Sequence, residues 1–325
     1  MQRLPFSKPG RFYRGNLHTH STRSDGDLTP AEVIAAYKAR DYDFIALTDH
    51  FLPETYFRPE SDAASFITIS DTTELRDDEF TTILGAEIHG PSMRNGELWH
   101  LVAVGLPVDF PNWTPEEQAV DLAKRAVDAG AFVGIAHPHW NSVSEEDARK
   151  VAGFVHTVEI YNHSCFNINR ADGDYLLDLL IEEGFHHLSM NAADDAHFKT
   201  PLGEVGAAHP EGFGGWVQVK AESLDPDALL AALKAGEFYS STGVELKNVT
   251  IDTEADEIVI ETSPVLWIQV TGNGARSART RGEDITEARF PLEKFREHGF
   301  LRVTAVAADG TRAWSNPIFL SEATA

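Results

Sequence analysis

From residue 12 to about 240, short apolar runs alternate with segments of helical periodicity. The first run is RFYRGNLHTH. It precedes LTPAEVIAAYKARD, where Thr29 is placed to cap a helix, Pro30 suits the first turn and Glu32 closes a capping box. Strands are predicted in DFIALTDH (Asp43 to His50), in TTILGAEIHG and in WHLVAVGL from Trp99. Thr114, Pro115 and Glu117 repeat the cap pattern before EEQAVDLAKRAVDA, which Gly130 terminates. AFVGIAHPH, VHTVEIYN, FHHLSMNAADDAH and GGWVQVKA supply further strands. Between them fall a capping pair at Ser144 and Asp147, the helix DYLLDLLIEE stopped by Gly184, and DPDALLAALKA ending at Gly236. This alternation predicts an α/β architecture with a mostly parallel sheet, a closed or nearly closed barrel of up to seven β/α units. Residues 51–79 break the pattern, being polar and acidic, and read as a long loop over the rim.

Near residue 243 the periodicity changes. LKNVTID, EIVIET, VLWIQVTG, FLRVTAVAA and RAWSNPIFL are short alternating runs with no long helix between them, and Asp309-Gly310 suits a hairpin turn. The expectation is an α/β unit over 1–243 followed by a small β-sandwich over 244–325. Trp267, Phe295, Phe300 and Trp314 in the second part need burial against each other or against the first part.

Composition narrows the function classes. The 325 residues include 42% hydrophobic and 24% charged positions, an ordinary globular balance. The single cysteine, Cys165, excludes an intramolecular disulfide and a Cys-rich metal site, and reads as a small packed thiol. No apolar run reaches the ~18 residues of a membrane span. The N-terminus lacks the apolar stretch of a signal peptide, so the expectation is cytoplasmic, with no membrane partner. Against 27 Lys plus Arg stand 51 Asp plus Glu, a net charge of −24. Such a field repels nucleic-acid backbones, which argues against stable duplex binding but not against a site for cations.

The histidines change the picture most. There are fourteen, and eight sit at the ends of apolar runs: His18, His20, His50, His89, His100, His137, His139 and His197. In a β/α barrel those ends converge on one rim. His18 and His20 are two apart at a strand end, so both point to one face, and Asp25 follows in the exit loop. Asp49-His50 ends the second strand, and Asp195 with His197 repeats the two-residue spacing. Glu87 ends its run whereas His100 begins one; Gly90, Pro91, Asn95 and Gly96 favour an antiparallel hairpin that returns His100 to the rim beside Glu87. His137 completes the ring. These six imidazoles and three carboxylates (Asp25, Glu87, Asp195) suffice for two to three divalent ions if one carboxylate bridges. His89 and His139, each two residues beyond a candidate ligand, are positioned to face a substrate, and Arg23 to meet an anion. Glu159 and Asn162 lie where they would support ligands from behind.

HTHSTRSDG, a TPAE helix, IALTDH, GAEI, IAHP and DDAH, in that order across roughly residues 15–240, resemble the polymerase and histidinol phosphatase (PHP) family of metallohydrolases. GGWVQVKAESL, ALKAGEFYSSTG and the following β segment look like its two-domain bacterial branch, which includes carbamate-cleaving hydrolases. The resemblance implies a distorted seven-stranded barrel holding up to three ions of manganese, iron or zinc. It implies a first metal on His18, His20, Glu87 and Asp195. Glu87 would bridge to a second metal on His100 and His137, and Asp25, His50 and His197 would hold a third. Asp194 stands beside Asp195, and the Asp-x-His spacing favours Asp195 as the ligand.

The expected activity is hydrolysis of a phosphate ester, of a small molecule or short oligonucleotide, by a metal-bridging hydroxide without a covalent nucleophile. Carbamate, ester or amide hydrolysis at the same centre is the alternative. Binuclear amidohydrolases often add a bridging lysine, and no lysine ends a strand here. A non-catalytic, metal-stabilised binding protein is the third reading. All candidate ligands precede residue 198, so the C-terminal part is expected to be chemically silent.

Overall fold

Strand β1 (Arg11–Asn16) is followed by helix α1 (Pro30–Lys38), whose N-terminus carries the capping box expected of Thr29 and Glu32. In this computed structural model, residues 4–52, 68–114, 116–199, 211–297 and 299–320 are described. The chain continues through β2 (Phe44–Leu47), β3 (His50–Phe51), β4 (Thr81–Ser92) and β5 (Leu98–Val104) to α2 (Ala119–Asp128) and β6 (Phe132–Ile135). Next come α3 (Glu145–Ala152), β7 (Thr157–Asn162), α4 (Asp174–Glu182), β8 (Ser189–Ala193), β9 (Trp216–Ala221), α5 (Pro226–Lys234) and β10 (Phe238–Ser241). Gly130, Gly184 and Gly236 end their helices at φ of 99°, 103° and 71°, conformations that other residues adopt only with strain. Helix α2 starts later than the Thr114–Pro115–Glu117 pattern predicts. Gln118 is its N-cap and Asp121 closes the box, while Glu117 instead accepts from the Thr114 N–H and pairs with Arg125.

The sheet is mixed rather than mostly parallel. β1, β2 and β4 run parallel, as do β6, β7 and β8, but β5 is antiparallel to both β4 and β6, and β9 is antiparallel to β1 and β10. The cause is connection length: the Gly90–Gly96 hairpin is too short for a crossover and must reverse the chain. β10, too short to read from its pattern, was not expected as a strand. Of the expected rim loop, residues 53–67 lie outside the described residues. The rest contains a short 3-10 turn at Thr73–Leu75, and Ser70 reaches inward to Asp49.

The same sheet passes into the C-terminal strands without a break, through the pairing of β10 with β15 (Arg312–Ser315). β11 (Leu246–Asp252), β12 (Glu257–Gly272), β13 (Ser277–Pro291), β14 (Phe300–Val306) and β16 (Ile318–Phe319) follow, with the short helix α6 (Glu293–Arg296) before β14. The two runs EIVIET and VLWIQVTG form one long strand, β12, whose register shifts between Glu261 and Trp267. Its first half pairs with β11 and its second with β14, so the sheet folds over a core of Val249, Ile260, Ile268, Val270, Phe290 and Phe295. β13 was not expected because SARTRGEDITEARFP is exposed along most of its length and shows no apolar alternation.

Phe300, Trp314 and Phe319 join the core of the N-terminal part instead, and the buried Arg302 guanidinium pairs with Asp174 and Asp178 of α4. Asn316, 1% exposed, accepts from the Met190 N–H and donates to the carbonyls of Gly236 and Phe238. Among the described residues no helix is long and apolar enough to cross a membrane. Replacing Asn316 by alanine strands three buried backbone groups and should destabilise the chain by about 2–3 kcal/mol. Urea denaturation checks this, and a loss under about 0.5 kcal/mol would show that the seam carries little load.

Candidate metal centre

β1 stops at Asn16, two residues short of His18, yet the segment after it stays extended because it is pinned on both sides. Thr48 N donates to Thr19 O, His20 N donates to Ala196 O, and Asp195 N donates to His18 O. His18 and His20 therefore keep strand-like alternation and turn their rings to one side, with centroids 5.3 Å apart. The register of β4 and β5 sets His89 opposite His100, and parallel pairing sets His50 beside Glu87. The hairpin thus brings His100 back to Glu87, with Nδ1 2.6 Å from Oε1. His137 and Asp195 follow β6 and β8 in left-handed conformations, at φ of 21° and 56°. Such strain persists only where surrounding contacts impose it, and it gathers at functional sites.

The side chains assemble around Glu87, which is fully buried. Its Oε1 lies 3.0 Å from His137 Nε2, and its Oε2 lies 2.7 Å from His50 Nδ1 and 3.6 Å from both His18 Nε2 and His20 Nε2. Asp195 Oδ1 is 2.9 Å from His20 Nε2 and 3.3 Å from His18 Nε2. Asp25 Oδ1 lies 3.2 Å from His197 Nε2 and 3.3 Å from His50 Nε2. Ligand-type atoms fall within mutual reach in four overlapping sets: His18, His20, Glu87 and Asp195; Glu87, His100 and His137; His20, Asp25, His50 and His197; and His50, Glu87 and His89.

These residues fit a divalent metal centre. His18 Nε2 and Glu87 Oε2 are buried, make no hydrogen bond and lie 3.6 Å apart, so their lone pairs face shared space. Imidazole nitrogens with carboxylate oxygens suit zinc, manganese or ferrous iron. Outer contacts fix the donors: His18 Nδ1 hydrogen-bonds Glu159 Oε1 at 3.0 Å, leaving Nε2 turned inward. Glu159 Oε2 accepts from the His137 N–H, and Asn162 Nδ2 donates to both Glu159 Oε2 and Asp195 Oδ2.

Charge follows the same arrangement. Burial favours the neutral form of Glu87, but His100, His50 and His18 outweigh it and hold the carboxyl well below its ordinary range. Burial opposes charge on His50 too, yet Glu87 and Asp25 raise it to about 10. For His20, burial and the neighbouring His197 and His50 lower it to about 4. Buried carboxylates at this density need cations beside them.

Asp194 and Asp195 divide their work. Asp195 faces the cluster, whereas Asp194 accepts from Tyr37 Oη and from the N–H groups of Phe213, Gly214 and Gly215. His89 lines the cavity from within the cluster, its Nε2 2.8 Å from His50 Nδ1. Two expectations need correction. His139 is exposed and lines a neighbouring cleft with Tyr175 and Leu179, because the turn after His137 directs it away. Arg23 is exposed on the turn after His20 and is not part of the cavity wall. Trp140, Ser164, Cys165 and Ile168 complete the lining of the donors' cavity of about 310 Å³. Sequence reasoning missed Trp140 and Ile168; the only signal was a large apolar residue in each of two otherwise polar segments.

No protein-family model matches the chain, and no curated protein sequence matches it. Its fold is PHP-like. The structure is similar to a two-domain protein from Bacteroides vulgatus containing a predicted PHP-like metal-dependent phosphoesterase. The TM-score is 0.53 at 16% identity, covering 95% of this chain and 97% of that one. Two more distant structures have TM-scores of 0.40: a candidate metal-dependent phosphoesterase from Bifidobacterium adolescentis, and an amidohydrolase from Chromobacterium violaceum with bound sulfate and no metal. Their identities are 15% and 17%; they match 58% and 56% of this chain, and 91% and 87% of their own.

Glu87 lies in three of the four donor sets, so Glu87→Gln should lower the metal content of the purified chain by about one ion or more. His139→Ala should leave it unchanged. Elemental analysis of the two variants checks this, and equal metal contents would remove Glu87 from the centre.

Proposed function

We propose that the chain is a metal-dependent hydrolase that cleaves phosphate esters of small molecules. In this reading residues 1–243 form a distorted (β/α)7 arrangement of the PHP type, and residues 244–325 form a sandwich-like unit supporting it. The observation that carries the reading is the convergence of His18, His20, Glu87 and Asp195 with the two neighbouring sets that share Glu87 or His20.

His18, His20, Glu87 and Asp195 would hold one ion; Glu87, His100 and His137 a second; Asp25, His50 and His197 a third. Divalent ions there supply Lewis acidity and activate water for attack on an ester. The chain's own groups do the rest. Glu159 keeps the His18 proton on Nδ1, so that Nε2 stays available. Asn162 ties Glu159 to Asp195 and fixes the angle between two strand ends. Ser164 Oγ donates to the Asp195 carbonyl and steadies the left-handed turn. Trp140, Cys165 and Ile168 give the cavity an apolar wall beside the donors.

That wall favours one second reading, hydrolysis of an uncharged carbamate, ester or amide at the same centre, since apolar side chains solvate a neutral acyl group well. A panel of phosphomonoesters, phosphodiesters, carboxyl esters and carbamates separates the two. Protein purified without chelator is expected to hold two to three ions per chain and to prefer phosphate esters. Chelation should abolish turnover, and Glu87→Gln should reduce kcat roughly a thousandfold. Full turnover after complete metal removal would overturn the reading, and turnover confined to carbamates or carboxyl esters would replace it with the second.

A further inference from the structure

Among the described residues, eight large apolar side chains are exposed, and two of them line this cavity. Trp140 is 41% exposed and Ile168 57%. The backbone of Trp140 is held on both sides. Trp140 N donates to His137 O at 2.9 Å, and its carbonyl accepts from Arg170 Nη1 at 2.8 Å. The adjoining Asn141 carbonyl accepts from Asn95 Nδ2 at 2.7 Å. The indole is therefore preorganised, its ring centroid 5.1 Å from that of His137 and 5.7 Å from that of His100. It also borders a second cavity of about 330 Å³ that includes Asn95, Glu97 and Arg170.

We propose that Trp140 and Ile168 form a clamp for a planar aryl group of the substrate, carried on or next to the bond that is cleaved. The inference rests on the hydrolase reading above and names its substrate class. A ring packed on Trp140 at the usual aromatic separation of about 4.5–7 Å lies within one ring's width of the His137 and His100 imidazoles. The scissile bond must then be attached to that ring directly or through one atom. A nucleotide does not meet this condition, because its sugar separates base from phosphate and would carry the base beyond the indole. The cavity of about 310 Å³ is also at the small end for ligand sites, which suits an aryl ester and not an oligonucleotide. Polar substituents on the far side of the ring would meet Asn95 and Arg170 in the second cavity.

Calorimetric titration of the metal-loaded full chain with two pairs of non-hydrolysable probes tests this: phenylphosphonate against methylphosphonate, and benzoate against acetate. The aryl member of at least one pair should bind about tenfold more tightly. Trp140→Ala should remove that preference while leaving the affinity for the small member within about twofold, whereas Trp140→Phe should keep most of it. Metal content and Tm of each variant confirm that the fold is intact. No aryl preference in either pair, no binding of any probe, or a preference that survives in Trp140→Ala would overturn the clamp. The underlying reading fails differently. An aryl preference among carboxylates with no phosphonate binding keeps the clamp and removes the phosphate ester; phosphate-ester hydrolysis without aryl preference keeps the ester and removes the clamp.

Discussion

A glutamate with no solvent exposure sits where strands from separate parts of the chain meet, and the architecture of this end of the sheet is arranged around that fact. Glu87 cannot be left as a lone anion in the interior, because desolvating a carboxylate costs several kcal/mol unless opposite charge or donors surround it. β3 supplies His50, the β5 hairpin supplies His100, the end of β6 supplies His137, and the pinned segment after β1 supplies His18 and His20. None of these is adjacent to Glu87 in sequence. The antiparallel turn between β4 and β5, which spoils the regular β/α order, is what delivers His100.

Buried carboxylates elsewhere in the site serve a different purpose, and the contrast explains which of them face the cavity. Asp49 accepts from Ser21 N, Ser21 Oγ, Ser24 Oγ and Ser70 Oγ. Asp194 is likewise saturated by Tyr37 and three successive N–H groups. With their lone pairs occupied, both hold loops in place. Asp195 and Glu87 meet mainly imidazoles, whose nitrogens are interchangeable between proton and metal. Glu159 stands between the two kinds, with one oxygen on His18 and the other on the His137 N–H and Asn162.

Much of this was legible in the chain because the signals are local. Thr29 with Glu32, Ser144 with Asp147, and the three helix-ending glycines act within one turn of backbone, and each does in the structure what its chemistry requires. The rim histidines were legible for a related reason, since strand periodicity fixes which side each faces. The β4–β5 hairpin could be argued from Gly90 to Gly96. What failed to show depends on partners far away in sequence. β13 is a strand because β12 offers it an edge, and its own charged residues carry no apolar period. His89 and His139 have the same spacing from a candidate ligand, yet one is buried in the cluster and the other exposed, because β4 continues through His89 while the chain turns after His137. The Asp-x-His spacing pointed to Asp195 over Asp194, and Asp195 lies in the cluster; the left-handed φ that turns it there is what the spacing could not show.

Among the described residues the C-terminal strands contribute no candidate ligand, yet they reach the site through β8. That strand has, among the described residues, a ladder partner only on the β7 side. Its other edge is met by side chains: Ser240 Oγ donates to Met190 O and accepts from Ala192 N, and Asn316 Oδ1 accepts from Met190 N. An edge strand with unpaired backbone groups would fray or recruit another chain, and these contacts satisfy it without requiring a further strand. β8 leads directly into Asp194 and Asp195, so the position of the cluster's second carboxylate is set partly by residues 240 and 316. Ser240 lies in β10 and pairs across to Trp314 of β15, and Asn316 directly follows β15. The seam between the two parts of the sheet is therefore mechanically continuous with the strained turn at Asp195. A rigid seam is what that turn requires, because a left-handed aspartate relaxes wherever its surroundings allow.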